Sequence, residues 1–289
     1  MRFIIYYLTY PLLWCISMLP FSLLYLFSDF VYLIVYYIIG YRKKTVRENL
    51  ALALPHLSSK ERLKIEKKSF RHLCDMFLEM IKTMTISKKE IDERFVFTNL
   101  EVYKKLEEQD KSIAMMLAHY ASYEWVISMN AHVDFSAFAI YKKIKNPYFD
   151  QLVRDIRSKF KASLITTKES IPTIIRNNRA KKMSIYGFAS DQSPRANSAH
   201  HHQNFMGIHV PVHTGAEMLS KKFNMNVVFL KVKKVKRGFY EASFEILSEN
   251  AAAVPNYEIT DKFIKLVEQQ IHEAPEYYLW THKRWKHMN

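Results

Sequence analysis

The rhythm of hydrophobic and polar positions changes twice along this chain. Residues 3–28, "FIIYYLTYPLLWCISMLPFSLLYLFS", carry no charge over 26 positions, where a helix needs about 20 apolar residues to cross a bilayer. Asp29 interrupts the run, "FVYLIVYYIIGY" extends it to residue 41, and Arg42, Lys43, Lys44 and Arg47 close it, marking that end as cytoplasmic. The stretch is too long and too aromatic for a cleaved signal peptide, and no small-residue cleavage site follows it. Pro11 and Pro20 leave three geometries open, a kinked span, a hairpin or an interfacial helix, because each proline removes a helix hydrogen bond. Residues 1–44 are therefore read as an N-terminal membrane anchor, and 45–289 as the domain behind it.

From about residue 58 the period becomes helical. Leu63, Phe70, Leu73, Phe77, Met80, Ile81 and Met84 recur at three- and four-residue steps, with Ser58 or Ser59 and Glu61 fitting the helix start. Then short apolar runs alternate with helical patterns: "SIAMML" as strand, "WVISMNAH" as helix, "SAFAIY" as strand, "PYFDQLVRDIRSKF" as helix, "ASLIT" as strand, "SIPTIIRNN" as helix and "KMSIYGF" as strand. This alternation predicts an α/β fold with a largely parallel sheet flanked by helices. A polar loop, "SDQSPRANSAHHHQNFMGIHVP", follows residue 189; loops this long are usually functional or disordered. Beyond it come a helix capped by Thr214, a hairpin of "NVVFLKVKKVK" and "FYEASFEIL" turning at Gly238, and a helix over 258–273.

Charge narrows the partners. Lys and Arg number 43 against 28 Asp and Glu, a net charge of +15, which suits phosphates, anionic headgroups, an acidic protein or nucleic acid. Two cysteines, Cys15 and Cys74, support neither a disulfide framework nor a thiolate zinc site.

The candidate chemistry lies at strand ends, where α/β sheets gather reactive groups. His119 directly follows "SIAMML" and Asp191 follows "YGFAS". In "HYASYE", His119 and Glu124 are five positions apart, a spacing that leaves them about 140° apart on a helix and on opposite faces of a strand. Only a strand end, a turn and a helix start would fold the carboxylate back onto the imidazole, giving a general base oriented by its partner. With no Gly-x-Ser-x-Gly elbow and no reactive cysteine, direct transfer to a substrate hydroxyl fits better than a covalent acyl-enzyme.

The segment resembles the His-x4-Asp/Glu motif of glycerolipid-type acyltransferases. Together with "YKKIKNPYFDQLVRDIRSKF", "SDQSP", "FMGIHVPVHTGAEMLSKKFNMNVVF" and the terminal "YLWTHKRWKH", in that order behind the apolar amino terminus, it resembles the lipid A biosynthesis lauroyl/myristoyl acyltransferase family over nearly the whole chain. The resemblance implies a glycerolipid-acyltransferase-like fold and an acyltransferase domain over 45–289. It implies a Gram-negative inner-membrane enzyme, active at the cytoplasmic face. That enzyme would move a fatty acyl chain from acyl-carrier-protein to a hydroxyl of a lipid A precursor, without a cofactor. It makes His119 the base and Glu124 its partner, and Asp191 and Gln192 the family's Asp-Gln pair in substrate binding. Arg154 or Arg157 becomes a basic substrate contact, with Arg157 the better match in spacing. Where the family often has Phe-Gly-Asn-Trp inside the motif, this chain has Tyr120, Ala121, Ser122 and Tyr123. Losing the glycine restricts the turn. The same chemistry on another glycolipid or aminolipid is the alternative, followed by a non-catalytic membrane-anchored binder of anionic lipid or nucleic acid.

Three further features read blandly. Asn146-Pro147 is a helix cap followed by a first-turn proline. His200, His201 and His202, with His209 and His213 nearby, lack metal-ligand spacing and read as loop surface or as contacts to anionic headgroups. The aromatic, basic terminus reads as an interfacial membrane belt in preference to a nucleic-acid stacking platform.

Overall fold

In the computed structural model, which describes residues 2–195 and 199–288, the apolar amino terminus forms α1 (Arg2–Met18) and α2 (Phe21–Leu33), and α2 continues as a π-helical turn over Ile34–Ile39. Phe21–Ile39, 19 residues, is long and apolar enough to cross a membrane. One face of α2 is nonetheless committed to protein. Phe21, Leu24, Ser28 and Tyr32 are buried, while Leu23, Leu26, Phe30 and Leu33 point outward. After α3 (Lys43–Ala53) comes α4 (Ser59–Lys82), which begins in a capping box: Ser58 accepts from the Glu61 backbone N–H, and the Glu61 carboxylate accepts from that of Ser58. Helix α4 is the platform for the apolar amino terminus. Its Asp75 accepts a hydrogen bond from Ser28 at 2.7 Å and its Glu79 one from Tyr25 at 2.8 Å, polar contacts that fix the rotation of α2.

Next come α5 (Lys88–Arg94), strand β1 (Phe95–Phe97), α6 (Leu100–Glu107) and β2 (Ile113–Leu117). A 3-10 helix (Tyr123–Ala131) leads to β3 (Ser136–Tyr141), α7 (Pro147–Ser158), β4 (Ser163–Thr166), α8 (Ser170–Arg179) and β5 (Ser184–Ala189). Asn146 caps α7, accepting from the Tyr148 N–H at 3.1 Å, with Pro147 in the first turn as expected. The chain continues through β6 (His202–Phe205), β7 (Ile208–Pro211), α9 (Gly215–Lys222), the long hairpin β8 (Asn226–Lys236) and β9 (Phe239–Ser248), and α10 (Glu258–Glu273).

Seven strands form one sheet in the order β1-β9-β8-β2-β5-β3-β4, all neighbours parallel except the β8–β9 hairpin. Every residue of β2 is buried, because helices cover both faces and β8 and β5 flank its edges. The α/β fold with a largely parallel, helix-flanked sheet is the one the alternating pattern predicts.

Two expectations are corrected. The polar stretch after residue 189 contains the antiparallel pair β6–β7, closed by Met206 and Gly207 with φ of 56° and 77°. Strands this short and polar carry no alternating signal. The terminal aromatics are not an interfacial belt: Trp280 and Trp285 are buried, Trp285 stacking on Phe205 at 5.7 Å. Backbone anchoring holds them inside, since Asn49 of α3 donates to the carbonyls of Trp280 and His282, both at 2.7 Å.

Candidate active site

Parallel register brings the site together. Leu117 pairs with Ala189 at the carboxyl ends of β2 and β5, so two residues further on His119 stands beside Asp191. Asp191 Oδ1 accepts from the His119 backbone N–H at 3.0 Å and lies 2.7 Å from imidazole Nδ1. A carboxylate only accepts, so the ring proton belongs on Nδ1 and leaves Nε2 with the lone pair. Nε2 has no hydrogen-bond partner among the described residues, and the ring borders a small pocket with Tyr123, Tyr277 and Trp280.

The turn after His119 solves its missing glycine by tertiary pairing. Ala121 adopts a left-handed conformation, φ 48°, and its N–H donates to the Tyr277 carbonyl at 2.9 Å. The Leu279 N–H donates to the His119 carbonyl at 3.1 Å, and the Tyr120 hydroxyl to the Ala274 carbonyl at 2.8 Å. A left-handed alanine costs roughly 1–2 kcal/mol, a cost offset by these three hydrogen bonds.

Glu124, at the start of the 3-10 helix, does not reach the imidazole. Arg157 of α7 takes both of its oxygens, Nε to Oε2 at 2.8 Å and Nη2 to Oε1 at 2.6 Å. The expected His119–Glu124 hydrogen bond is thus replaced by two pairs, His119 with Asp191 and Glu124 with Arg157. The reason is geometric: Asp191 lies at the equivalent end of the neighbouring strand, while the planar guanidinium matches the buried carboxylate with two parallel bonds. Arg154, one turn earlier on α7, donates to the Tyr141 hydroxyl at 3.1 Å. Gln192 is half-buried beside Asp191.

Electrostatics couple the two pairs. Burial works to lower the His119 pKa, but the charge and hydrogen bond of Asp191, helped by the charge of Glu124, hold it above the ordinary value, against an opposing push from Arg157. Burial works to raise Asp191, yet the charge of His119 and its hydrogen bonds leave the carboxyl below its usual range. Arg157 is held up by Glu124 despite burial.

The pattern along the chain did not single out the residues that enclose Asp191 from the carboxyl terminus. Arg284 is 1% exposed and donates from Nη1 to the Pro211 carbonyl at 3.2 Å. Burial pushes its pKa down, while the charges of Tyr278 and Asp191 act the other way. His282, half-buried nearby, is lowered to about 4 by burial of the ring and is neutral at physiological pH. The available signal was Arg284 between two tryptophans, a cation amid residues that usually go inside. Among the other histidines, His201 pairs with Asp261 at 2.8 Å and stacks on Tyr257 at 4.3 Å.

A carboxylate-held histidine with a free ring nitrogen, at a central strand end of a largely parallel α/β sheet, is an arrangement capable of general-base chemistry. The bacterial lipid A biosynthesis acyltransferase model matches residues 1–287, and the chain belongs to that family of acyltransferases. It is 22% identical over 285 residues to the lipid A biosynthesis lauroyltransferase of Escherichia coli K12, covering 97% of this chain and 92% of that protein. It is 23% identical over 256 residues to the lipid A biosynthesis palmitoleoyltransferase of the same organism and to a lipid A biosynthesis acyltransferase of Shigella flexneri, in each case covering 85% of this chain and 79% of the relative.

Proposed function

We propose that this acyltransferase moves a fatty acyl chain from acyl-carrier-protein to a hydroxyl of a lipid A precursor, at the cytoplasmic face of the inner membrane. Residues 1–44 form the anchor and 45–289 the catalytic part. The observation that carries the mechanism is the 2.7 Å contact between His119 Nδ1 and Asp191, which leaves Nε2 as the proton acceptor. Nε2 takes the proton of the acceptor hydroxyl as its oxygen attacks the thioester carbonyl. The C–S bond breaks, the ester forms, and the imidazolium returns the proton to the departing thiolate. Asp191 orients the ring and stabilises its charged form. Glu124, held by Arg157, adds negative potential beside the imidazolium and fixes the wall of the site. Arg154 and Gln192 are proposed substrate contacts, and Arg157 acts through Glu124. The net charge of +15 suits an acidic carrier protein and a phosphorylated lipid at an anionic surface.

Purified protein with acyl-carrier-protein thioester and a lipid A precursor should yield an ester-linked product by mass spectrometry. His119→Ala should lower the rate by about 10²–10⁴-fold, and unchanged turnover would remove His119 from the chemistry. Lipid profiling of a deletion strain tests the acceptor: lipid A lacking one chain supports it, whereas intact lipid A with another lipid missing assigns a different one.

A further inference from the structure

The pocket at His119 has room for about 20 Å³, roughly a single water, whereas the neighbouring cavity holds about 570 Å³. The larger cavity lies between α2, α4, the β8–β9 hairpin and the segment before Tyr278. His72 and Tyr277 border both spaces, their rings 5.0 Å apart, so the pair forms the partition between the cavity and the catalytic pocket.

We propose that this cavity binds a phosphate group of an amphiphile, which on the reading above is the acyl acceptor, with Arg71 and Lys234 as its principal ligands. Seven charged side chains line the cavity, four cationic and three acidic, and the acids are largely committed to other partners. Asp29 and Asp75 both accept from Arg237, and Glu276 accepts from Lys68 at 3.0 Å. Arg71 has no carboxylate partner among the described residues; its guanidinium carbon lies over the Tyr32 ring, 5.0 Å from the centroid, and the side chain lines the cavity. The Lys234 side chain is 7% exposed, with Nζ 3.3 Å from His72 Nδ1 and 3.5 Å from Asp75. A planar fork and a buried ammonium lining one cavity are a donor set suited to phosphate. Leu33, exposed at the cavity rim, carries it onto the outward apolar face of α2, where acyl chains would continue. This favours a lipid phosphate over the phosphopantetheine phosphate of the donor.

Two measurements test the proposal, one of which needs no turnover. Dihexanoyl phosphatidic acid titrated into the full-length protein in neutral detergent should bind more tightly than dihexanoylglycerol, and Arg71→Glu should weaken that binding by about tenfold or more. An unchanged unfolding midpoint serves as the folding control. In turnover, the KM advantage of a lipid A precursor over its phosphatase-treated form should collapse in Arg71→Glu. Equal binding of phosphatidic acid by variant and parent overturns the proposal. So does a rise confined to the KM of the acyl-carrier-protein donor, which would assign the cavity to the donor phosphate. Arg71-dependent binding without any acyl transfer would sink the activity reading and leave the phosphate site standing.

Discussion

Asp191 Oδ1 is bound twice by His119, by its backbone N–H at 3.0 Å and by its imidazole at 2.7 Å. The carboxylate therefore fixes both the strand end and the ring. Asp191→Asn should keep the fold and lower kcat by about 10²–10⁴-fold, because an amide no longer stabilises the imidazolium and can hold the ring in the wrong tautomer. Single-turnover kinetics on the purified variant check it.

The same pair sets the pH dependence. In the proposed mechanism His119 must be neutral to accept a proton, and its pKa lies above the ordinary 6.5, so kcat/KM should rise with pH along a limb above that value. In Asp191→Asn the larger raising influence is gone, leaving only the charge of Glu124 against burial, so the limb should move to lower pH. Stability runs with its own signs. The Asp191 contribution is present above the unfolded carboxyl value of 3.8 and is lost as pH falls through its lower folded value. The His119 contribution is present below 6.5 and is lost as pH rises through its higher folded value. Thermal melts should show the gap between parent and Asp191→Asn wider near pH 5 than near pH 9, and a gap independent of pH would contradict the pairing.

Glu124 and Arg157 should behave as one unit. Arg157→Ala leaves a buried carboxylate unpaired and should cost about 3–5 kcal/mol, and Arg157→Lys should recover only part because it lacks the fork. In a double-mutant cycle with Glu124→Gln, the coupling energy from chemical denaturation should be about 1–3 kcal/mol.

Ala121 separates backbone strain from packing. Ala121→Gly relieves a left-handed residue but removes a buried methyl and loosens the unfolded chain, so stability should change by less than about 1 kcal/mol. Ala121→Val places a β-branched residue at φ 48° and should destabilise by more than about 2 kcal/mol, with activity falling as His119 shifts. Denaturant midpoints and kcat read the two effects.

Docking of the apolar amino terminus rests on close approach at the hairpin turn. A Cβ on Gly238, φ 76°, would collide with the Tyr25 hydroxyl, whereas one on Gly207, φ 77°, meets nothing within 4 Å. Gly207→Ala should therefore cost only backbone strain, about 1–2 kcal/mol. Gly238→Ala should cost more, by about 1–3 kcal/mol of steric displacement, and should expose the α2 segment to limited proteolysis in detergent. Equal melting temperatures for the two variants would argue against tight docking.

What the sequence determined by itself is what local periodicity and strong punctuation encode. The alternation of short apolar runs with helical stretches specified a largely parallel α/β sheet, the capping box located α4, and the placement of His119 and Asp191 after strands marked both as site residues. Local signals were silent where the element is short and its burial is decided elsewhere. Three-residue β1 joins the sheet through β9, β6 and β7 pair within a polar stretch, and the terminal tryptophans turn inward because α3 holds their backbone. The partner of His119 was the largest such case. Proximity in sequence favoured Glu124, but Asp191, 72 residues away, is the carboxylate in contact, and Arg157, 33 residues from Glu124, takes the other. Only tertiary structure decides this, because parallel strand register and helix packing set distances that no spacing along one segment encodes.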